Sequence, residues 1–241
     1  MSGGYGSRVR FLPSFLKKFI WLVYPPAPFV NVISFKHRRI IKEEIFSKET
    51  VLDVGSGISR GPGSWLWKNV RRNQYTKLDI VKAPDIDIVA NALDMPMDSE
   101  TIDVVILQSV PEHIDDITLL FKEAHRILKF GGLVYIEMPF LQGVHGDPND
   151  YWRCTPAAID FLLKNKFSHV VSGVSAGPMG ALIWIFSDLC SNILPFRIVN
   201  LVLRFVLRWA LSPLRYFDKF FVYTKAANRL SAENYFLYRK N

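Results

Sequence analysis

The run Val51-Leu52-Asp53-Val54-Gly55-Ser56-Gly57 constrains this chain more than any other feature. Apolar residues surround one acid and end in two glycines one residue apart. The first four read as a strand buried on both faces. The glycines let the backbone turn sharply and come close to a ligand, and the turn leads towards a helix N-terminus, where backbone N–H groups face outward. Asp53 stands inside the strand, two residues before the first glycine, where a carboxylate can reach an amino group or ammonium above the turn. A dinucleotide loop calls for a third glycine close behind, to pack helix against pyrophosphate. Here that stretch is Ile58-Ser59-Arg60, with Gly61 one position late. The chain also has no Tyr-x-x-x-Lys pair, so a dehydrogenase is disfavoured.

Downstream, short apolar runs alternate with helical patterns, as in a parallel α/β sheet. The spacing predicts strands over 50–54, 75–80, 86–90, 104–108 (reached through Ile102 and Asp103), 133–138 and 169–174, with a last one over 235–238. Apolar positions 117, 119, 120, 121, 124, 127 and 128 predict a helix over 117–130, stopped by Gly131-Gly132. Thr155-Pro156 predicts a helix start, with an N-cap followed by proline at the first helical position, running to about Leu163. Residues 11–24 and 31–46 read as two helices joined by a proline-rich link, and 181–223 as apolar helices broken at Pro195 and Pro213.

With these motifs in order, the chain resembles the class I S-adenosylmethionine-dependent methyltransferases, and specifically the type 11 methyltransferase domain, over roughly residues 48–174. Asp53-Val-Gly55-Ser56-Gly57 resembles the first cofactor motif, and Leu78-Asp79 the acid that bonds both ribose hydroxyls. Asn91-Ala92-Leu93-Asp94-Met95-Pro96-Met97 resembles the adenine-contacting loop, usually begun by aspartate; asparagine keeps an oxygen acceptor there. Asp103 to Gln108 with Glu112-His113-Ile114 resembles the fourth strand and its rim loop, and Arg126-Ile-Leu-Lys129-Phe-Gly131-Gly132 the helix end before strand five. The resemblance implies S-adenosylmethionine as cofactor, held by Asp53, Gly55, Ser56, Gly57, Asp79, Asn91, Ala92 and Gln108. Ser59 stands where a third glycine is common, and Arg60-Gly61-Pro62-Gly63 delays the first helix.

Ligands of open α/β sheets bind at the carboxyl ends of the strands. An acceptor is therefore expected near Gln108, Glu112 and His113, and along Gln142 to Tyr151. The run His145-Gly-Asp147-Pro148-Asn-Asp150-Tyr151-Trp152-Arg153 is dense in groups that bind or exchange protons. It resembles, more loosely, a His-x-x-Pro-x-Asp-Tyr stretch of type 11 relatives in glycan and cell-envelope biosynthesis. Methyl transfer to a hydroxyl needs alignment and a base, and histidine titrates in the right range. His145 and His113 qualify, with Asp150 as orienting group or alternative base; Asp147, Tyr151 and Arg153 are candidates for substrate binding. His113 also fits a helix-entry residue packed beside the cofactor, and His145 a brace for the Asp147-Pro148 turn.

Charge is unevenly spread. The formal net charge is +8. Residues 1–50 carry +6, residues 51–180 carry −4, and residues 181–241 carry +6. A nucleic-acid enzyme more often has its basic groove on the domain that does the chemistry, so no nucleic-acid partner is expected. Two cysteines make no disulfide framework and show no metal spacing, so no metal is expected and a cytoplasmic protein is the simple inference. At about 100° per residue, Arg197, Arg204 and Arg208 fall within about 40° of one another on a helix otherwise almost wholly apolar. Such a helix suits an anionic membrane surface, with the arginines snorkelling to headgroups; a core helix or a homo-oligomer contact fits the same pattern.

The expected fold is α/β and Rossmann-like: a mostly parallel seven-stranded sheet with helices on both faces, N-terminal helices, and an apolar helical insert before the last strand. The expected divisions are a basic, apolar extension (1–47), the S-adenosylmethionine-binding core (48–180), the insert (181–230) and the terminal strand (231–241). The expected activity is O-methylation of a glycan or lipid-linked sugar by a protein peripherally associated with the cytoplasmic membrane face. A small lipid or natural-product acceptor, or a catalytically silent cofactor-binding scaffold, are the alternatives.

Overall fold

The computed structural model describes residues 27–28, 30–57, 75–145 and 149–241. The predicted helix over 11–24, Ser59, the Arg60–Gly63 stretch and Asp147 lie outside these residues. Chain contacts divide the protein into two compact units. One is Ile33–Pro139, Tyr151–Gly173 and Asn234–Asn241; the other is Met1–Val32, Phe140–Asp150 and Val174–Glu233.

The elements in order are α1 (Phe35–Phe46), β1 (Val51–Val54), β2 (Tyr75–Asp79), β3 (Ile88–Val89), β4 (Ile102–Gln108), a 3₁₀ turn (Pro111–His113), α2 (Ile117–Ile127), β5 (Leu128–Pro139), α3 (Pro156–Leu163) and β6 (Phe167–Ala176). Then follow α4 (Pro178–Cys190), α5 (Arg197–Leu211), a 3₁₀ segment (Ser212–Phe217), α6 (Asp218–Phe221), α7 (Lys225–Leu230) and β7 (Glu233–Lys240). The fold is α/β, with one seven-stranded sheet in the order β3-β2-β1-β4-β5-β7-β6. β1 pairs in parallel with β2 on one side and β4 on the other, and the β2–β3 and β4–β5 pairs are also parallel. The strand order therefore reverses beside β1, and the loops after β1 and β4 part there, which is where open α/β sheets bind ligands.

Strand alternation assigns the core. Leu52, Val54, Val105 and Leu107 point to one face, against Leu120, Ala124 and Ile127 of α2 and Ile159 of α3. Val51, Val104 and Ile106 point to the other, against Ile41 and Ile45 of α1. Helices thus cover both faces, and each fully buried aliphatic side chain contributes about 1.5–3 kcal/mol of transfer free energy. The helix starts are capped as their sequences suggest. Ser34 Oγ accepts from His37 N–H, Asp116 Oδ1 from Leu119 N–H, and Thr155 Oγ1 from Ala158 N–H ahead of Pro156.

One boundary differs from the pattern. The helical stripe predicts 117–130, but α2 ends at Ile127 and Leu128 is already extended. Gly131 and Gly132 do not cap the helix; they lie within β5. Ile102 pairs with Leu128 and Val104 with Leu133, so the intervening residues of β5 form a bulge. Gly131 takes φ +73° there, and a Cβ on Gly132 would press on the carbonyls of Lys129 and Asp103.

The second unit has a thin core. Ala176, Ala181 and Ala232 form one small cluster and Val32, Val174 and Ala227 another. Backbone bonds support it: Phe140 N–H to Ala232 O at 2.8 Å and Ala232 N–H to Ala176 O at 2.9 Å. Pro178 opens α4, whose first free N–H groups are taken by the buried Asp218: Met179 N–H to Oδ1 at 2.8 Å and Gly180 N–H to Oδ2 at 2.9 Å. Burial pushes the Asp218 carboxyl up, against the pull of these N–H donors. No helix among the described residues is long and apolar enough to cross a membrane.

Candidate active site

The glycine turn is held from the neighbouring strand. Gly55 and Gly57 have φ +64° and +65°, left-handed values that favour glycine. A Cβ on Gly55 would in addition collide with Val110. The N–H groups of Gly55 and Ser56 donate to Leu78 O at 2.8 and 3.3 Å. Asp79, at the end of β2, accepts Gly57 N–H on Oδ2 and Val81 N–H on Oδ1, each at 2.8 Å. The carboxylate therefore fixes the turn while each oxygen keeps a lone pair for a further donor. Ser56 is buried, and its Oγ has no hydrogen-bond partner among the described residues. An orphaned hydroxyl beside a left-handed glycine turn and a polarised carboxylate is what a bound polar ligand would complete. Asp53 is wholly buried and accepts the Tyr75 hydroxyl from β2.

The loop after β3 is also pre-set. Asn91 is exposed, and its Oδ1 accepts Leu93 N–H at 3.0 Å, an Asx turn that spends one lone pair of the expected adenine acceptor. Ala92 is buried beneath it. The far end of the loop is clamped by α2. Arg126 Nη1 donates to Met97 O at 2.8 Å and Nη2 to Met95 O at 2.9 Å, while Glu123 Oε1 accepts Met95 N–H at 2.8 Å. The two side chains also form a bidentate pair, at 2.8 and 2.6 Å. The Arg126 guanidinium beside Glu123 holds its carboxyl below the usual glutamate range.

At the end of β4, Gln108 Nε2 donates to Glu137 Oε2 at 2.7 Å, and the Tyr135 hydroxyl donates to Glu137 Oε1. Ser109 follows with φ +52°, held by its N–H to Glu137 O at 2.9 Å. A non-glycine residue in the left-handed region costs about 1–3 kcal/mol and persists only where its surroundings fix it. His113 closes the 3₁₀ turn, its Nε2 3.8 Å from Oε1 of the buried Glu112. Tyr151 N–H donates to Glu112 O at 2.7 Å, and the Tyr151 side chain is half exposed. Arg153 Nη1 donates to Trp152 O at 2.8 Å, and Trp152 Nε1 to Ile114 O at 2.8 Å.

His145 and Asp150 are brought together within the second unit. His145 N–H donates to Asp150 Oδ2 at 2.7 Å, and the ring Nδ1 lies 3.6 Å from the same oxygen and 3.1 Å from Gly143 O. The Asp150 side chain is only 2% exposed. A carbonyl oxygen can only accept, so a proton on Nδ1 satisfies this contact and leaves Nε2 as the ring's acceptor nitrogen. The ring packs on Trp184 of α4 at 5.6 Å between centroids.

Pattern reading missed the parts that support the site: Tyr75 on Asp53, Glu137 on Gln108, the Glu123–Arg126 clamp and Trp184 under His145. The Glu-x-x-Arg spacing on α2 was the one available signal, since residues three apart share a helix face.

A parallel sheet with a glycine turn after β1, an acid ending β2 and polar loops after β3 and β4 defines a class I, Rossmann-like cofactor-binding fold. Residues 52–136 match the profile of the type 11 family, described as a methyltransferase domain. Domains of this family take S-adenosylmethionine as cofactor, and Gly55, Ser56, Gly57 and Asp79 fit such a ligand by the geometry above. No curated protein matches the sequence. Among solved structures, the chain resembles an S-adenosylmethionine-dependent methyltransferase from Archaeoglobus fulgidus, with TM-score 0.51, 17% identity, and 86% of this chain and 91% of that one covered. It also resembles a putative sarcosine dimethylglycine methyltransferase from Galdieria sulphuraria (TM-score 0.51, 14% identity, coverage 85% and 83%). A third is the phosphoethanolamine N-methyltransferase 2 of Haemonchus contortus in complex with S-adenosyl-L-methionine (TM-score 0.52, 17% identity, coverage 96% and 58%). At these identities the likeness is one of fold.

Proposed function

We propose that this protein is an S-adenosylmethionine-dependent methyltransferase that O-methylates a glycan or a lipid-linked sugar at a membrane surface. The observation that carries the cofactor half is the Asp79 carboxylate fixed across the Gly55–Gly57 turn, beside the orphaned Ser56 hydroxyl. When bound, S-adenosylmethionine supplies a methyl on a sulfonium, which leaves as neutral S-adenosylhomocysteine. Asp79 would accept the ribose hydroxyls on its free lone pairs. Asn91 keeps one oxygen lone pair and its amide N–H groups for adenine, on a loop that Arg126 and Glu123 hold still.

The acceptor half rests on His145. Its Nε2 would take the proton of the acceptor hydroxyl as that oxygen bonds to the methyl carbon. Asp150, 3.6 Å from Nδ1, stabilises the positive charge the ring then carries. The half-exposed Tyr151 ring suits a sugar face, and Arg153 a phosphate. A hydroxyl acceptor fits this pair better than an amine, because an amine's own lone pair attacks without a base at the moment of transfer.

Calorimetric titration with S-adenosylhomocysteine tests the first half. Wild type is expected to bind, and Asp79→Ala to lose at least about tenfold, since bonds to a charged group are worth about 1.5–3 kcal/mol each. No binding by wild type would sink the assignment. Transfer of labelled methyl into a membrane extract, partitioned between chloroform–methanol and water, tests the second. His145→Ala should lower the rate by about 10²-fold with cofactor affinity kept; an unchanged rate removes His145 as base.

A further inference from the structure

Helix α5 is amphipathic, but it is mounted opposite to the way its sequence suggests. Every exposed residue of α5 with a described side chain is apolar, led by Ile198 (78% exposed), Leu201 (60%), Val202 and Val206 (54% each). Its polar residues with described side chains turn inward. Arg204 Nη2 pairs with Asp188 Oδ1 of α4 at 3.1 Å, and its Nε donates to Ser191 Oγ at 3.1 Å. Arg208 lies over the Trp184 ring at 5.8 Å. Asn200 Nδ2 donates to Leu194 O at 2.6 Å. The expectation that Arg204 and Arg208 reach outward to headgroups is therefore corrected: they fasten α5 to α4, and the apolar arc faces away. A helix packed on its own protein does the reverse.

We propose that this outward arc seats on an anionic phospholipid bilayer, with α5 lying in the plane of the interface. Fifteen residues at about 1.5 Å each make about 22 Å, short of the ~30 Å hydrocarbon core, so the helix lies on the bilayer and does not span it. Charge selects the occupant. Of the three acids after residue 180, Asp218 and Glu233 are buried and Asp188 is paired with Arg204. Lys219, Lys225 and Arg229 are exposed, in company with the exposed aromatics Phe220 and Tyr223. Lys225 and Arg229, and Ala226 and Leu230, stand four residues apart on the short helix α7, so two cations lie beside two apolar side chains. Such a cation-rich, aromatic surface is repelled by a second copy of itself and attracted by lipid phosphate. The α5 arginines hold Trp184 and Asp188, and Trp184 is the surface on which His145 packs. The docking helix and the proposed base therefore share one support.

The proposal extends the lipid-linked reading of the acceptor, and its test reads lipid binding without turnover. Sedimentation with phosphatidylglycerol-containing vesicles should retain the full-length protein at least about tenfold better than pure phosphatidylcholine vesicles, and less well as salt rises. Ile198→Glu with Leu201→Glu, both on exposed positions, should cut binding about tenfold with the melting profile and S-adenosylhomocysteine affinity unchanged. Lys225→Glu with Arg229→Glu should remove the preference for the anionic vesicles. Equal or absent binding to both vesicles overturns the proposal. So does a concentration-dependent dimer by light scattering that Ile198→Glu dissolves. Vesicle binding without S-adenosylhomocysteine binding would leave the docking face standing and refute the methyltransferase reading; the converse would do the opposite.

Discussion

Replacing Arg126 with methionine keeps the aliphatic stem and removes the guanidinium that closes the loop over 91–97. Five bonds go: two to Glu123 at 2.6 and 2.8 Å, one to Met95 O at 2.9 Å, one to Met97 O at 2.8 Å and a long one to Ser99 Oγ at 3.4 Å. Fully buried, charge-assisted bonds would contribute about 1.5–3 kcal/mol each. The Arg126 side chain is 37% exposed, so water takes over part of what is lost. Glu123 is only 10% exposed at its side chain and is left with a charge whose partner has gone. These opposing effects put the loss at about 2–3 kcal/mol, or about 5–10 °C in Tm for a chain of this size.

The sign with pH follows from Glu123, whose carboxyl is held low mainly by its bonds to Arg126. A depressed folded-state value means the pair's contribution is fully present above the ordinary glutamate value of 4.5 and is lost as pH falls through the lower folded value. Urea unfolding of wild type and Arg126→Met at pH about 7 should show the full difference, and at pH about 4 a smaller one. Because Met95 and Met97 lose their anchors, S-adenosylhomocysteine affinity should fall about three- to tenfold. A stability loss below about 0.5 kcal/mol, or a difference that grows on acidification, would refute the clamp.

Gly55→Ala meets two obstacles at once, a left-handed φ of +64° and the Val110 side chain; it should cost about 2–4 kcal/mol by denaturant titration and abolish cofactor binding under native conditions. Gly177→Ala would push a methyl into the Asp218 carboxylate and break its bonds to Met179 and Gly180, at about 2–3 kcal/mol, with no direct effect on the glycine turn. Asp150→Asn should keep the cofactor affinity and lower methyl transfer about tenfold or more, because the charge facing the His145 ring is lost; an unchanged pH–rate profile would show that Asp150 does not act through the ring.

What the sequence discloses here depends on whether one segment decides its own fate. The strands of the sheet interior are runs of apolar residues whose burial on both faces follows from composition alone; Val51–Val54 lies within the expected 50–54, and Ile102–Gln108 takes in the expected 104–108 together with its two approach residues. The pairing of His145 with Asp150 is nearly local, five residues apart, and the polar density of the run announces it. The end of α2 is different. Its helical periodicity continues past Ile127, but pairing of Leu128 with Ile102 competes for the same backbone and wins, so the glycines serve a bulge and not a cap. For α5 the pattern divides the helix correctly into two faces and is silent on which faces in. That choice belongs to α4, where Asp188 and Trp184 offer the arginines a carboxylate and a ring. Once Arg204 and Arg208 are spent there, the apolar arc has no partner among the described residues of its own unit that buries it, and Lys219, Lys225 and Arg229 stay exposed. On the proposed docking, hydrophobic burial of that arc, at roughly 25 cal/mol per Å², would supply most of the affinity and the exposed cations the preference for anionic lipid.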